Sequence, residues 1–550
     1  MKLTSRFAVW CVGAPVLLTC LCAAQSRPAR TAANAPAPDA DALLVAMKAE
    51  MERSKAELHT DQVARPYYIE YDVTDTDEFI AEASFGRLRI DMRNHRRTLN
   101  AVVRIGDYKQ DSFLGRGVVE EMPLSDDPLV VRHQLWLATD RAYKAAAETY
   151  AAKLSSRKQL ATDDAIDDFA QSTPIQHIEA MARLQFNAAQ WCKAVEVPAG
   201  SDRRFADFID LSAAAQFTAV NRFYVNSEGT VTRTGQCRYQ LSTGLTAQAS
   251  DGMLLARSPA IVVGTPAELP SPQRFADDFQ TAVDWVQALR KAPVVSEEYR
   301  GPVLILTDAS NDIFADLVSN FFLGTRPPLG NPARTAGPYA NAFKNVVLPD
   351  FLTIVDNPLE SSFRGESLIG HYAVDDEGVA SIPMTLVDGG RLVNYLIGRT
   401  PIRDFSASNG HGRSGRGGAA APAYGNLFVK PAIAFSREEL KKKMLDLCRE
   451  RHLDFGYLIE TFGGITLPRL IYRVYVEDGR QELVRGTTLD ELDARSLRNE
   501  LVAAGNDPFV SNRPNTFQTV ICPSLLFREL VVKPANQAKG KLPEYPPPHR

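Results

Sequence analysis

The chain is poor in the residues that most often build metal and redox sites. Eight histidines are scattered over 550 residues, and no two lie three to five positions apart. A helical zinc site needs two ligands about one turn apart so that both reach one ion. The His-Glu-x-x-His pattern and its near variants are therefore excluded, and only a site gathered from distant histidines stays open. The seven cysteines include no Cys-x-x-Cys pair, which excludes a zinc ribbon and a disulfide-dense scaffold. An excess of charge of one sign is also lacking. Lys and Arg number 62 against 66 Asp and Glu, for a net charge of -4. No basic surplus points to nucleic acid or an anionic membrane. Beyond the first two dozen residues no apolar run is long enough to cross a bilayer as a helix.

What is present begins with an export signal. Lys2 and Arg6 precede an apolar run from Phe7 to Ala23 that ends in Cys22-Ala23-Ala24-Gln25. A charged start, a short apolar stretch and small residues read as a secretory signal over residues 1–24. The expected destination is the periplasm or beyond. Residues 25–41, rich in Ala and Pro, read as a disordered linker. The mature chain keeps Cys192, Cys237, Cys448 and Cys522, which are expected as buried free thiols, with one or two disulfides as the other option.

Residues 42–294 read as one α+β region. Asp41 to Leu58 has the pattern of an exposed amphipathic helix. Tyr67 to Val73, Leu88 to Met92 and Leu99 to Ile105 alternate apolar with polar residues, which predicts three strands of an antiparallel sheet with one wet face. A helical segment is expected over about 133–190, with Trp136, Tyr143, Tyr150 and Leu154 as its apolar stripe. Strands return from Phe205 to Val263, with a hairpin turn at Asn226-Ser227-Glu228-Gly229. Ser271 and Pro272 then cap a helix whose face is Phe275, Phe279, Val283 and Val286. Residues 295–527 read as a strand-rich domain. It opens with a buried strand at Val303–Leu306 and a helix from about Asn311 to Phe322, and later has a hairpin around Asp388-Gly389-Gly390. Residues 528–550 read as a tail.

Three local patterns suggest chemistry and fail on context. Gly410-His411-Gly412-Arg413-Ser414-Gly415 fits a dinucleotide fingerprint by letter, but the strand and helix that must flank it are missing. Ser414 is no nucleophile elbow, because Arg416 stands where the last glycine is needed. Asp375-Asp376-Glu377 reads as a turn before a strand, with carboxylates that do not converge.

A set of segments in fixed order resembles the TldD/PmbA family of metallopeptidase-like proteins. It runs Asn226-Ser227-Glu228-Gly229, Asp251-Gly252, Tyr299-Arg300-Gly301-Pro302-Val303-Leu304, Gly370 to Gly378, Leu386 to Leu396, Tyr424-Gly425-Asn426-Leu427, Ala503 to Asp507 and Pro523 to Phe527. The resemblance is good from about Ala213 to Phe527 and weaker from Pro66 to Trp136. It implies a multi-lobed α+β fold, with antiparallel sheets, flanking long helices and a strand-rich C-terminal domain. It also implies that active relatives hold zinc through His-Glu-x-x-x-His on the helix after the first strand of the last region. The matching helix here reads Ala315-Asp316-Leu317-Val318-Ser319-Asn320, so Ala315 and Asn320 stand for the histidines and Asp316 for the glutamate. No shift of register restores a histidine, because none lies between His177 and His371. The family's later cysteine ligand falls near Val510-Ser511-Asn512-Arg513-Pro514, which has no cysteine. The resemblance therefore brings the fold without the zinc ligands, and no cofactor is expected. The family also contains a metal-free subunit that pairs with an active one to enclose a chamber, and this chain is similar to that kind. The expected partner is a second copy or another TldD/PmbA-type subunit, with a peptide or unfolded segment as ligand and neither nucleic acid nor a membrane span. A peptidase with a different site, built from His371 or His411 with Asp375 or Asp376, is the alternative. A structural envelope protein with a closed interior is the third reading.

Overall fold

The computed structural model describes residues 41–61, 63–115, 117–160, 166–197, 207–328, 330–414, 419–464, 466–513, 515–535 and 540. The signal and linker readings, and the end of the chain, lie outside these residues.

The first half is organised by one eight-stranded sheet. Its long strands are β1 (Tyr68–Ser84) and β2 (Arg87–Arg104), and later β5 (Phe208–Asn226) and β6 (Val231–Gln248). Shorter strands β3 (Val118–Met122), β4 (Gln176–Ile178), β7 (Leu254–Arg257) and β8 (Ala260–Val263) complete it in the order β3-β2-β1-β5-β6-β4, with β7 and β8 both on β6. The period of two assigns the faces. Odd residues of β1 (Ile69, Tyr71, Val73, Phe79, Ala81) are buried beneath helices. Helices α1 (Ala42–Glu57) and α2 (Pro128–Leu160) cover one end of that face, and α3 (Ala188–Val195) and α4 (Pro272–Lys291) the other. Helix α4 starts as its sequence dictates: Ser271 Oγ accepts from Arg274 N, Pro272 fills the first turn, and Phe275, Phe279, Val283 and Val286 are buried. Each such apolar side chain contributes about 1.5–3 kcal/mol on burial.

Several expectations change here. Helix α1 is docked rather than exposed, because Leu43, Leu44, Met47 and Met51 recur at helical spacing and reach the sheet. Leu88–Met92 and Leu99–Ile105 belong to the single strand β2, and the hairpin turn lies earlier, at Phe85-Gly86, both with positive φ. The polar stretch between the two runs looks like a break. It stays on β1 through the Arg93–Asp77, His95–Asp75 and Arg97–Asp75 pairs. The helical segment ends at Leu160. Residues 166–187 are not helical, and β4 pairs in parallel with β6 there. In α2 the buried stripe is Leu135, Ala138, Ala142, Tyr143 and Ala146, while Trp136 is 44% exposed. Alanines let this helix approach the sheet closely, so they rather than Trp136 define its inner face.

The second half contains two further large sheets, beside two small two-stranded ones. One has eight strands and is built on β9 (Tyr299–Ile305), flanked by Leu525–Pro534 and Phe455–Phe462. The other has six, with Leu352–Asp356, Met384–Asp388, Asn426–Pro431 and Thr519–Cys522 at its centre. One large core joins them, and the helix after β9 contributes Ile313, Phe314, Val318 and Phe322 to it. The expected hairpin is present, with Gly389 and Gly390 at positive φ; a Cβ on Gly390 would lie 2.3 Å from the Leu348 carbonyl oxygen. Residues 528–534, read as the start of a tail, are strand instead. Leu530, Val531 and Val532 are all buried, because this strand pairs with β9 inside the sheet and is covered on both faces, with Leu530 and Val532 in the large core. Among the described residues no helix is long and apolar enough to cross a membrane.

Candidate functional site

The segment after β9 has an irregular course. Thr307–Asp312 is α-helical, Ile313–Val318 is wound as a π-helix, and Ser319–Phe322 tightens to 3₁₀. A π segment inside a helix is costly on its own and recurs at functional sites. Its apolar residues enter the core, and three carboxylates follow one another at four-residue spacing on the other side: Asp308, Asp312 and Asp316. Ala315 is buried with the core. Asn320 is exposed and donates its Nδ2 to the Asp316 carbonyl at 3.0 Å.

Asp316 does not act alone. Arg513 places Nη1 2.7 Å from Asp312 Oδ1 and Nη2 3.0 Å from Asp316 Oδ1. Two segments flagged separately in the sequence, the degenerate helix and the cysteine-free stretch 510–514, thus meet through one guanidinium. Burial raises the Asp312 carboxyl, against the pull of Arg513. Asp308 is raised by burial and by Asp312, with Arg257 and Arg513 acting the other way. Arg257 keeps Nε and Nη1 buried with no hydrogen-bond partner among the described residues.

Zinc, which the fold family implies, does not fit this donor set. Position 315 offers a methyl group, Asn320 an amide turned to its own helix, and the carboxylates of Asp312 and Asp316 already hold a cation. Among the described residues no three His, Cys, Asp or Glu side chains gather as a metal site.

The second cluster lies where the two halves meet. The even face of β1 and β5 carries Tyr68, Glu70, Asp72, Arg222 and Tyr224, and the turn Asp375–Gly378 packs on it. Arg222 holds Asp72 (2.6 Å) and also pairs with Asp376, whose other neighbour is Arg413 (3.1 Å). Tyr224 Oη donates to the Glu377 carbonyl at 3.2 Å. Arg399, fully buried, donates to Ala170 O, Glu228 Oε1 and Tyr68 Oη. The turn expected at 375–377 is present. Because it is a turn, strand alternation does not separate its side chains, and all three carboxylates lie in this region, each on partners of its own. Asp375 is tied to the backbone N–H groups of Glu377, Val379 and Gly412, and Glu377 Oε2 to that of Arg399. Burial would raise Asp376 too, but Arg222 and Arg413 hold it below its usual value. Among the described residues, Asp375 and Glu377 have no cationic side chain in hydrogen-bond contact, and burial lifts both, Glu377 to about 8.

The histidines do not join this cluster. His411 Nε2 lies 2.9 Å from Asp356 Oδ2, both fully buried, though outside hydrogen-bonding alignment; its Nδ1 faces Asn409 O at 2.9 Å. His371 Nδ1 is 2.9 Å from the Pro358 carbonyl. Among the described residues no hydrogen bond or ion pair joins either histidine to Asp375 or Asp376. Gly412–Ser414 forms a short strand with Ala420–Pro422 rather than a phosphate loop, and Gly415–Gly418 lie outside the described residues. Arg513 and Arg399 escaped the sequence reading. A lone arginine carries no local signal, and their partners lie 197 and 171 residues away.

Comparison with known proteins agrees with this architecture. Residues 299–534 match the family model described as the PmbA/TldA metallopeptidase C-terminal domain. Among curated proteins none matches. Three solved structures share the fold. A Thermotoga maritima protein described as a candidate modulator of a DNA gyrase is 17% identical, with a TM-score of 0.58 over 88% of this chain and 100% of its own. TldE from Thermococcus kodakarensis is 15% identical, with a TM-score of 0.59 over 89% of this chain and 100% of its own. A Bacteroides thetaiotaomicron protein, again described as a candidate modulator of DNA gyrase, is 14% identical, with a TM-score of 0.55 over 89% and 98%. Residues 299–534 are thus a PmbA/TldA metallopeptidase C-terminal domain by their family match, and the chain as a whole shares the fold of these three structures.

Proposed function

We propose that the chain is an exported, zinc-free, peptidase-like member of its family that binds peptides or completes a chamber with a second subunit, either its own copy or another TldD/PmbA-type chain. The observation that carries this reading is the Asp312–Arg513–Asp316 bridge. The carboxylate in the general-base position is spent on an internal ion pair, beside a helix that offers no histidine. A place for a ligand is suggested by the far half of the large sheet. There the even-numbered residues Glu78, Ile80 and Gln216 stay only partly covered, while the near half is sealed by the turn 375–378. The test is elemental analysis of the mature chain, purified without chelator, together with light scattering to fix its assembly state. Far less than one zinc or other transition metal per chain is the expected result. A content of about one metal per chain would mean that distant ligands converge, and would sink the reading.

A further inference from the structure

We infer that Arg513 is the resident cation of the helix 307–322, a guanidinium that the chain supplies to neutralise Asp312 and Asp316 and that closes this place to a divalent ion. The inference rests on the metal-free reading above.

The geometry is specific. One guanidinium spans two carboxylates, with separate nitrogens at 2.7 and 3.0 Å. Such charge-assisted contacts fix position as well as charge. Arg513 is mostly covered, with its side chain 20% exposed, and Asp312 is similar at 27%; Asp316 is the open end at 51%. Nearby carboxylates of one sign repel when both are ionised. Asp308 and Asp312 are both raised by burial, and a neighbouring aspartate raises each further. Arg513 supplies the counter-charge to this row through its two direct contacts. The strand end at Phe509–Asn512 carries Arg513 to that place, and Asn512 anchors it by donating Nδ2 to Val262 O and Ser367 O.

The test uses the full mature chain and three variants. Arg513→Ala leaves the two aspartates without their cation, and Arg513→Lys keeps a charge without the fork. The third adds Asp312→Asn and Asp316→Asn to Arg513→Ala. Mn²⁺ binding is followed by electron paramagnetic resonance, and thermal melting is recorded with millimolar methylguanidinium against equal NaCl. We expect only weak, non-stoichiometric Mn²⁺ binding by the unaltered chain and Arg513→Lys. Arg513→Ala should bind at least about tenfold more tightly than the unaltered chain, lose this in the triple variant, and regain melting temperature with methylguanidinium. If Arg513→Ala neither binds Mn²⁺ nor responds to methylguanidinium, the cation role is overturned while the metal-free reading survives. If the unaltered chain itself binds the ion stoichiometrically, both fall. Should Arg513→Ala not fold alone, refolding with methylguanidinium replaces melting; recovery supports the role and failure refutes it.

Discussion

Glu377→Gln offers a direct probe of the interface between the two halves. Glu377 is buried, accepts from the Arg399 backbone N–H, and is repelled most by Asp375. Burial first, and Asp375 second, raise its carboxyl to about 8. A folded-state value above the unfolded one means that the folded chain holds the proton more tightly. The resulting stability is complete below the unfolded value near 4.5 and is lost as pH rises through about 8. At about 1.4 kcal/mol per unit the full span would approach 5 kcal/mol. Since Asp375 shares the proton balance, about 2–4 kcal/mol is the expected share. Glutamine keeps the acceptor oxygen and removes the charge. The difference in urea unfolding free energy between the two proteins, measured from pH 4 to 9, cancels other titrating groups. Glu377→Gln should match the unaltered chain near pH 4 and exceed it by about 2–4 kcal/mol at pH 9. A difference that is flat with pH, or a variant weaker at pH 9 than at pH 5, would refute the protonated interior carboxyl.

Two other expectations concern groups with no exposed surface. Arg399→Met removes the guanidinium that bridges Ala170, Glu228 and Tyr68, and should cost about 3–5 kcal/mol because the buried Glu228 is left without its cation; loss below about 1 kcal/mol in denaturant unfolding would contradict this. Cys448 and Cys522 are fully buried, and burial raises both thiols, Cys448 to about 11. Both should resist a thiol reagent at pH 8 until the chain is unfolded, as mass spectrometry of labelled peptides will show, while the half-buried Cys192 and Cys237 react first.

Much of the architecture is local and was therefore legible. The cap at Ser271, the Asn226–Gly229 turn and the Gly389-Gly390 hairpin depend on residues within a few positions of one another. The family likeness is legible for a similar reason, since it rests on short segments in order. Failures came where a partner far along the chain decides the outcome. The polar centre of β2 is strand only because β1 supplies Asp75 and Asp77. Residues 528–534 are core only because β9 lies beside them.

By itself the sequence determined that no histidine or cysteine pair could hold zinc on a helix, because ligand spacing is a local property. It also determined the helix, strand and turn signals from which the lobes are built. Only the tertiary structure decided where the charges go. Arg513 reaches Asp316 across 197 residues, and Asp375–Glu377 lies against Arg222 across the interface. Electrostatic pairing depends on distance in space and on burial, and neither is written in the spacing of residues along the chain.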